Sequence, residues 1–159
     1  MKLEKNKNQD MTIYHEYKTK HGPFEVLVKY ITEDELDEIT EGSKKIVWRQ
    51  HQKLDQIDDK RFRKAFLKKA FLELRGAKRI HLRYMIEPTV KIKLTGKETW
   101  EDSLELTDEL KKDIIENINA PFNTFLFSAA REIDWFVEKL EMEETQNLSN
   151  GSDTGKQKT

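Results

Sequence analysis

Between Asp58 and Arg79 the chain reads DDKRFRKAFLKKAFLELRGAKR, and Phe62, Phe66, Leu67, Ala70, Phe71 and Leu74 recur there at steps of three and four. That spacing lines them up on one stripe of an α-helix. Asp58 and Asp59 stand where carboxylates complement the N-terminal dipole, and Gly76 stands where a left-handed C-cap is wanted. Lys60, Arg61, Arg63, Lys64, Lys68, Lys69 and Arg75 lie between the stripe residues. The expected helix therefore has a greasy face and a basic face. Such a basic face is ordinarily just solvated. The sharper reading is that it binds a partner. With Lys78 and Arg79 added, these nine residues are the candidate partner-binding set.

A helix of this kind needs a core to lie on, and a chain of 159 residues is long enough to build one. The expected division is a disordered arm over 1–11, a single domain over 12–143 and a disordered tail over 144–159. The tail has one large apolar residue, Leu148, too little burial to offset the entropy of ordering. The chain has no cysteine, which removes disulfides, thiolate metal sites and cysteine nucleophiles and favours a cytoplasmic setting. The N-terminal MKLEKNKNQD lacks the apolar core of a signal peptide. No run approaches the roughly 20 apolar residues of a membrane helix, so no membrane partner is expected.

The net charge of −1 conceals a segregation. Residues 43–100 hold 17 Lys/Arg against 6 Asp/Glu, residues 1–42 hold 6 against 10, and residues 101–159 hold 6 against 14. A basic middle between acidic flanks can be satisfied within one molecule, or by a neighbouring copy or a partner. The acidic flanks oppose a phosphate backbone, which weakens a nucleic-acid reading without removing it.

Phe24 to Tyr30 is rich in β-branched and aromatic residues and reads as a strand, with Ile13 to Tyr17 pairing to it across the Gly22-Pro23 break. Thr32 and Glu35 form a capping box for a short helix that turns Leu36 and Ile39 inward and ends near Gly42. Lys44 to Ile57 reads as extended around Val47 and Trp48, with Trp48 a candidate for burial and His51 exposed. Ile80 to Met85 is open between strand and helix, and Pro88 ends it. Val90 to Leu94 alternates as a half-buried strand does. Thr107 caps a helix carrying Leu110, Ile114, Ile115 and Ile118. Pro121 opens the next, which runs to about Glu141 with Phe122, Phe125, Leu126, Ala129, Ile133, Phe136, Val137 and Leu140 as its stripe. The expected fold class is α+β, mostly helical: short N-terminal strands packed with about four helices.

His15, His21, His51 and His81 show no zinc-ligand spacing, and P-loop, dinucleotide and GxSxG patterns are missing from the sequence. The carboxylates run in blocks, as on solvated helix faces.

The order of segments carries a resemblance. It comprises Tyr30-Ile31-Thr32 leading into a helix, the Val47-Trp48-Arg49 region, the 58–74 stretch, and above all SLELTDELKKDIIENINAPFNTFLFSAAREIDWF from Ser103 to Phe136. Over roughly residues 24–143 the chain resembles the tail assembly chaperones of long-tailed bacteriophages and prophages. The resemblance implies a protein of the bacterial host cytoplasm with no enzymatic role and no cofactor. It implies binding to the tape measure protein, with the tail tube protein as a second partner, and self-association into a homo-oligomer. It further implies a −1 ribosomal slip near the end of the gene, for which Thr154-Gly155-Lys156 offers an allowed GGGAAA spelling. The alternative is a small nucleic-acid-binding protein using the basic segment 60–83.

Overall fold

A computed structural model describes residues 11–134 and 136–137. The expectations for residues 1–10, Leu140, the tail and Thr154-Gly155-Lys156 lie outside the described residues.

The chain opens with strands β1 (Thr12–Tyr17) and β2 (Phe24–Lys29), joined as an antiparallel hairpin with Tyr17 opposite Phe24 and Ile13 opposite Val28. Gly22 takes φ of +94° in the connecting turn, a conformation open to glycine at little cost. Helix α1 (Glu33–Gly42) follows from the Thr32 capping box, with the Thr32 hydroxyl accepting from the Glu35 amide at 3.2 Å. Strands β3 (Lys44–Arg49) and β4 (Gln52–Ile57) form a second hairpin, and α2 (Asp59–Ala70) leads directly into β5 (Phe71–Arg75). A 3-10 helix (Arg79–Tyr84) and an irregular stretch precede α3 (Asp108–Glu116) and α4 (Ala120–Arg131).

Three strands form one sheet in the order β1-β2-β5, antiparallel throughout, with β2 in the centre. Alternation sorts its two faces. Phe24, Val26 and Val28 of β2 are buried beneath α2 and α4, whose Phe66, Leu67, Ala70, Phe122, Leu126, Ala129 and Ala130 complete the core. Three of these rings, Phe24, Phe66 and Phe122, are essentially inaccessible to water. Burying each contributes about 1.5–3 kcal/mol before entropy is counted. The opposite face is polar and laced across the strands. Arg75 donates to both carboxylate oxygens of Glu25 at 3.1 and 2.7 Å, and its guanidinium lies 3.6 Å from the centre of the Tyr14 ring.

The expectation of a mostly helical domain is corrected. Of the described residues 42% are helical and 26% are in strands and bridges, and the architecture is α+β with two small antiparallel sheets. Two segments account for the difference. The amphipathic stretch from Asp58 does not stay helical to Gly76: the Phe71 amide donates to the Leu67 carbonyl to close the helix, and the five residues Phe71–Arg75 extend to pair with β2. Phe71 is buried either way, because inward positions of the helix and of the strand coincide there. Residues 44–57 form a complete hairpin rather than one extended segment.

Other expectations differ in detail. Val90 to Leu94 alternates between half-buried and exposed positions but pairs with no described strand; Val90 and Ile92 rest against the core from an irregular loop. The closing helix breaks at Glu132, and Ile133 and Val137, expected on its buried stripe, are exposed, whereas Phe136 is buried. No helix among the described residues is long and apolar enough to cross a membrane.

Candidate interaction surface

The nine basic residues singled out from the sequence are spread over three elements. Lys60, Arg61, Arg63, Lys64, Lys68 and Lys69 are on α2, Arg75 is on β5, and Lys78 and Arg79 begin the 3-10 helix. Six are engaged inside the molecule. Lys60 and Lys64 reach Glu116 of α3 at 3.5 and 2.5 Å, and Lys69 lies 3.6 Å from Glu38 of α1. Arg75 holds Glu25, Lys78 holds Glu101 at 2.9 Å, and Arg79 holds Glu98 and Asp102 at 2.8 and 2.7 Å. Arg61, Arg63 and Lys68 form no salt bridge among the described residues, and the side chain of Arg63 is half-buried.

One groove gathers positive charge. It lies between α2 and α3, has a volume of about 590 Å³, and is lined by Lys64, Lys68, Lys111 and Lys112 with Asp108, Ile115 and Glu116. Burial holds the Lys111 ammonium below its usual range, opposed by Asp108 and reinforced by Lys68. Lys111 donates to the Lys68 carbonyl at 2.7 Å, so its hydrogen-bonding capacity is partly spent on the fold.

His81 is buried and structural. Its Nδ1 accepts from the Lys78 amide at 2.8 Å, which leaves Nε2 to donate to the Gly22 carbonyl 3.1 Å away. Ser43, the other buried polar side chain among the described residues, donates to the Ile39 carbonyl at 2.6 Å. Among the described residues no three His, Cys, Asp or Glu side chains converge as metal ligands would.

The more informative surface lies elsewhere. Five large apolar side chains among the described residues are exposed: Ile46 at 55%, Trp48 at 68%, Leu54 at 43%, Ile133 at 42% and Val137 at 41%. Three belong to the β3-β4 hairpin, which pairs with no other described strand. Its register puts Ile46 and Trp48 on one face, opposite Asp55 and Lys53, and Val47 and Leu54 on the other. A lone two-stranded ribbon is marginal in water. This one also turns through Gln50 and His51, both in the left-handed region at φ of +50° and +66°. That two-residue turn favours Asn-Gly, so neither residue advertises it.

The other two exposed side chains sit just past α4, on the stretch whose Phe136 packs edge-on against Tyr30, ring centroids 5.4 Å apart. Arg131 ties this end to the start of α1 by donating to the Ile31 carbonyl and pairing with Glu33. The exposed apolar side chains of the hairpin and those past α4 therefore flank α1, one set at each end. The sequence offered little signal for either. Trp48 and Ile133 look like core residues until the neighbours that should cover them are found elsewhere.

No family model matches the chain, and neither a curated protein nor a solved structure matches it.

Proposed function

We propose that the protein is a binding module without enzymatic activity, and that it serves as a phage tail assembly chaperone. In that role it keeps the long helical tape measure protein soluble while tube subunits assemble around it. One observation supports the protein-binding class above the others. Among the described residues the large apolar side chains left in water fall at two places, the β3-β4 hairpin, where Ile46 and Trp48 share one face, and the stretch just past α4, and exposed apolar surface of this kind suits contact with protein. The resemblance carried by Ser103 to Phe136 supports the narrower assignment. Nucleic-acid binding is favoured less, since six of the nine candidate basic side chains already hold carboxylates. The groove lined by Lys64, Lys68, Lys111 and Lys112 is what that alternative would use.

The test is co-expression of the full chain with a fragment of the tape measure protein encoded beside it. The expected result is a fragment that is insoluble alone, becomes soluble with the chaperone and co-purifies with it. A fragment equally insoluble in both cases, or no tail tube gene and long open reading frame beside the gene, overturns the assignment. A strongly salt-dependent mobility shift with DNA or RNA, lost on reversing Lys64 and Lys68, would install the alternative.

A further inference from the structure

We propose that residues 90–94 form a docking edge for an extended acidic peptide of a partner protein, which adds to them as a strand. Val90 to Leu94 alternates in exposure as it does in sequence: Val90, Ile92 and Leu94 are half-buried, Lys91 and Lys93 exposed. The run is held at both ends. The Val90 amide donates to the Glu87 carbonyl at 3.0 Å, and the Thr95 amide donates to the Glu98 carboxylate at 2.9 Å. Val90 and Ile92 fasten it to the core. Between those ends the amides of Lys91, Ile92, Lys93 and Leu94 donate to no described group, and the carbonyls of Val90 to Leu94 accept from none. Water can satisfy such groups in any surface loop. Here they belong to a run that is already anchored and already alternating, so joining a partner strand costs it little further ordering.

Beside the run is a groove of about 490 Å³. Ile86, Val90, Ile92 and Trp100 give it apolar walls, and the Arg83 guanidinium lies 4.3 Å from the centre of the Trp100 ring. Arg83, Lys91 and Lys93 line the same groove against one acid, Glu87, and none of these four forms a salt bridge among the described residues. The nearby Lys78 and Arg79, in contrast, already hold Glu101, Glu98 and Asp102. The occupant that fits is a peptide alternating acidic and apolar residues. Its carboxylates meet Lys91 and Lys93, an apolar side chain enters the groove, and its backbone pairs with the unpaired run. The same run of a second copy is a poor occupant, because lysine along a strand edge opposes pairing of like with like. A helical partner is a poor one too, since its own backbone groups are spent inside the helix. The partner chemistry therefore differs from the helical one of the chaperone reading, and it is tested with no tape measure protein present.

The experiment titrates the isotope-labelled full chain with a capped peptide that alternates glutamate with valine, about seven residues long so as to span the run at roughly 3.3 Å per residue. Amide shifts and amide exchange are followed by NMR. Saturable binding is expected, with shifts centred on residues 90–94 and slower exchange of the amides of Lys91 to Leu94. Two further peptides carry methyl groups on the valine nitrogens or on the glutamate nitrogens, which blocks one edge or the other while keeping every charge and side chain. At least one of them is expected to lose binding about tenfold or more. Lys91→Glu combined with Lys93→Glu is expected to weaken the glutamate peptide about tenfold and to favour a lysine-valine peptide instead. Both side chains are exposed, and unchanged circular dichroism and denaturation midpoints certify that variant's fold. No binding at the highest soluble peptide concentration overturns the inference. So does full binding by both methylated peptides, or by a shuffled peptide of the same composition, either of which would mean that charge alone is recognised. Shifts confined to the groove lined by Lys64 and Lys111, or a charge-reversed variant that binds as the wild type does, overturn it as well.

Discussion

Phe66 stacks on Phe127 with ring centroids 4.1 Å apart and is 1% exposed. Phe66→Ala is expected to cost about 3–5 kcal/mol, the range for emptying a buried phenylalanine site. Phe125 is only half-buried, and Phe125→Ala is expected to cost less, about 1–3 kcal/mol. Equal midpoints for the two variants in urea denaturation would contradict this ordering. Glu35 offers a second residue-scale test. Burial pushes its carboxyl up, but the Lys29 ammonium and the Thr32 amide and hydroxyl outweigh burial and hold it below its ordinary 4.5. A depressed carboxyl contributes stability that is fully present above the unfolded value and is lost as pH falls through the lower folded value. Glu35→Gln should therefore flatten the loss of stability below pH ~4.5, read as denaturation midpoint against pH. An unchanged acid limb would show that Glu35 carries no such linkage. The capping partner was readable from Thr32 and Glu35 three residues apart, because a cap is local. The exposure of Trp48 was not, since burial depends on what the rest of the chain brings over a residue.

The elements divide along the same line. Those specified by nearby residues were legible: β1 and β2, α1 from its capping box, α3 from Thr107, and the start of α4 from Asn119 and Pro121. Those decided by distant pairing were not. Phe71 to Arg75 fits the end of a helix on paper, but β2 presents a free edge, and a third strand there buries Phe71 while placing Arg75 beside Glu25. Val90 to Leu94 has the alternation of a strand and lacks a partner to make it one. The β3-β4 turn was hidden because Gln50-His51 is a poor match to its backbone. Replacing it with Asn-Gly should remove left-handed strain of roughly 1–2 kcal/mol per residue. The expected readout is slower amide exchange across residues 44–57. Unchanged exchange there would mean that the turn does not limit the hairpin's opening.

At the scale of the molecule, the run of positive charge along the sequence becomes a mixture of signs in space. Lys60 and Lys64 meet Glu116, Lys69 meets Glu38 and Lys78 meets Glu101, each acid coming from a flanking segment. Exposed pairs of this kind contribute about 0–1 kcal/mol each. Screening them at 1 M salt, where the Debye length is about 3 Å, should move the unfolding midpoint of the monomer only slightly. A large drop would show that the pairs carry more of the fold than their exposure suggests. The hairpin stands apart from this arrangement. The chain leaves α1 at Ser43 and re-enters α2 at Asp58, and the Asp58 amide donates to the Ser43 carbonyl at 2.8 Å. Departure and return thus share one doorstep, and the fourteen residues between amount to an exchangeable cassette. A short turn closing that same bond should leave the body of the protein folding as before, shorn of its reach. A different ribbon grafted at the same point should give the same body a new specificity, so this surface can diverge without the core having to follow.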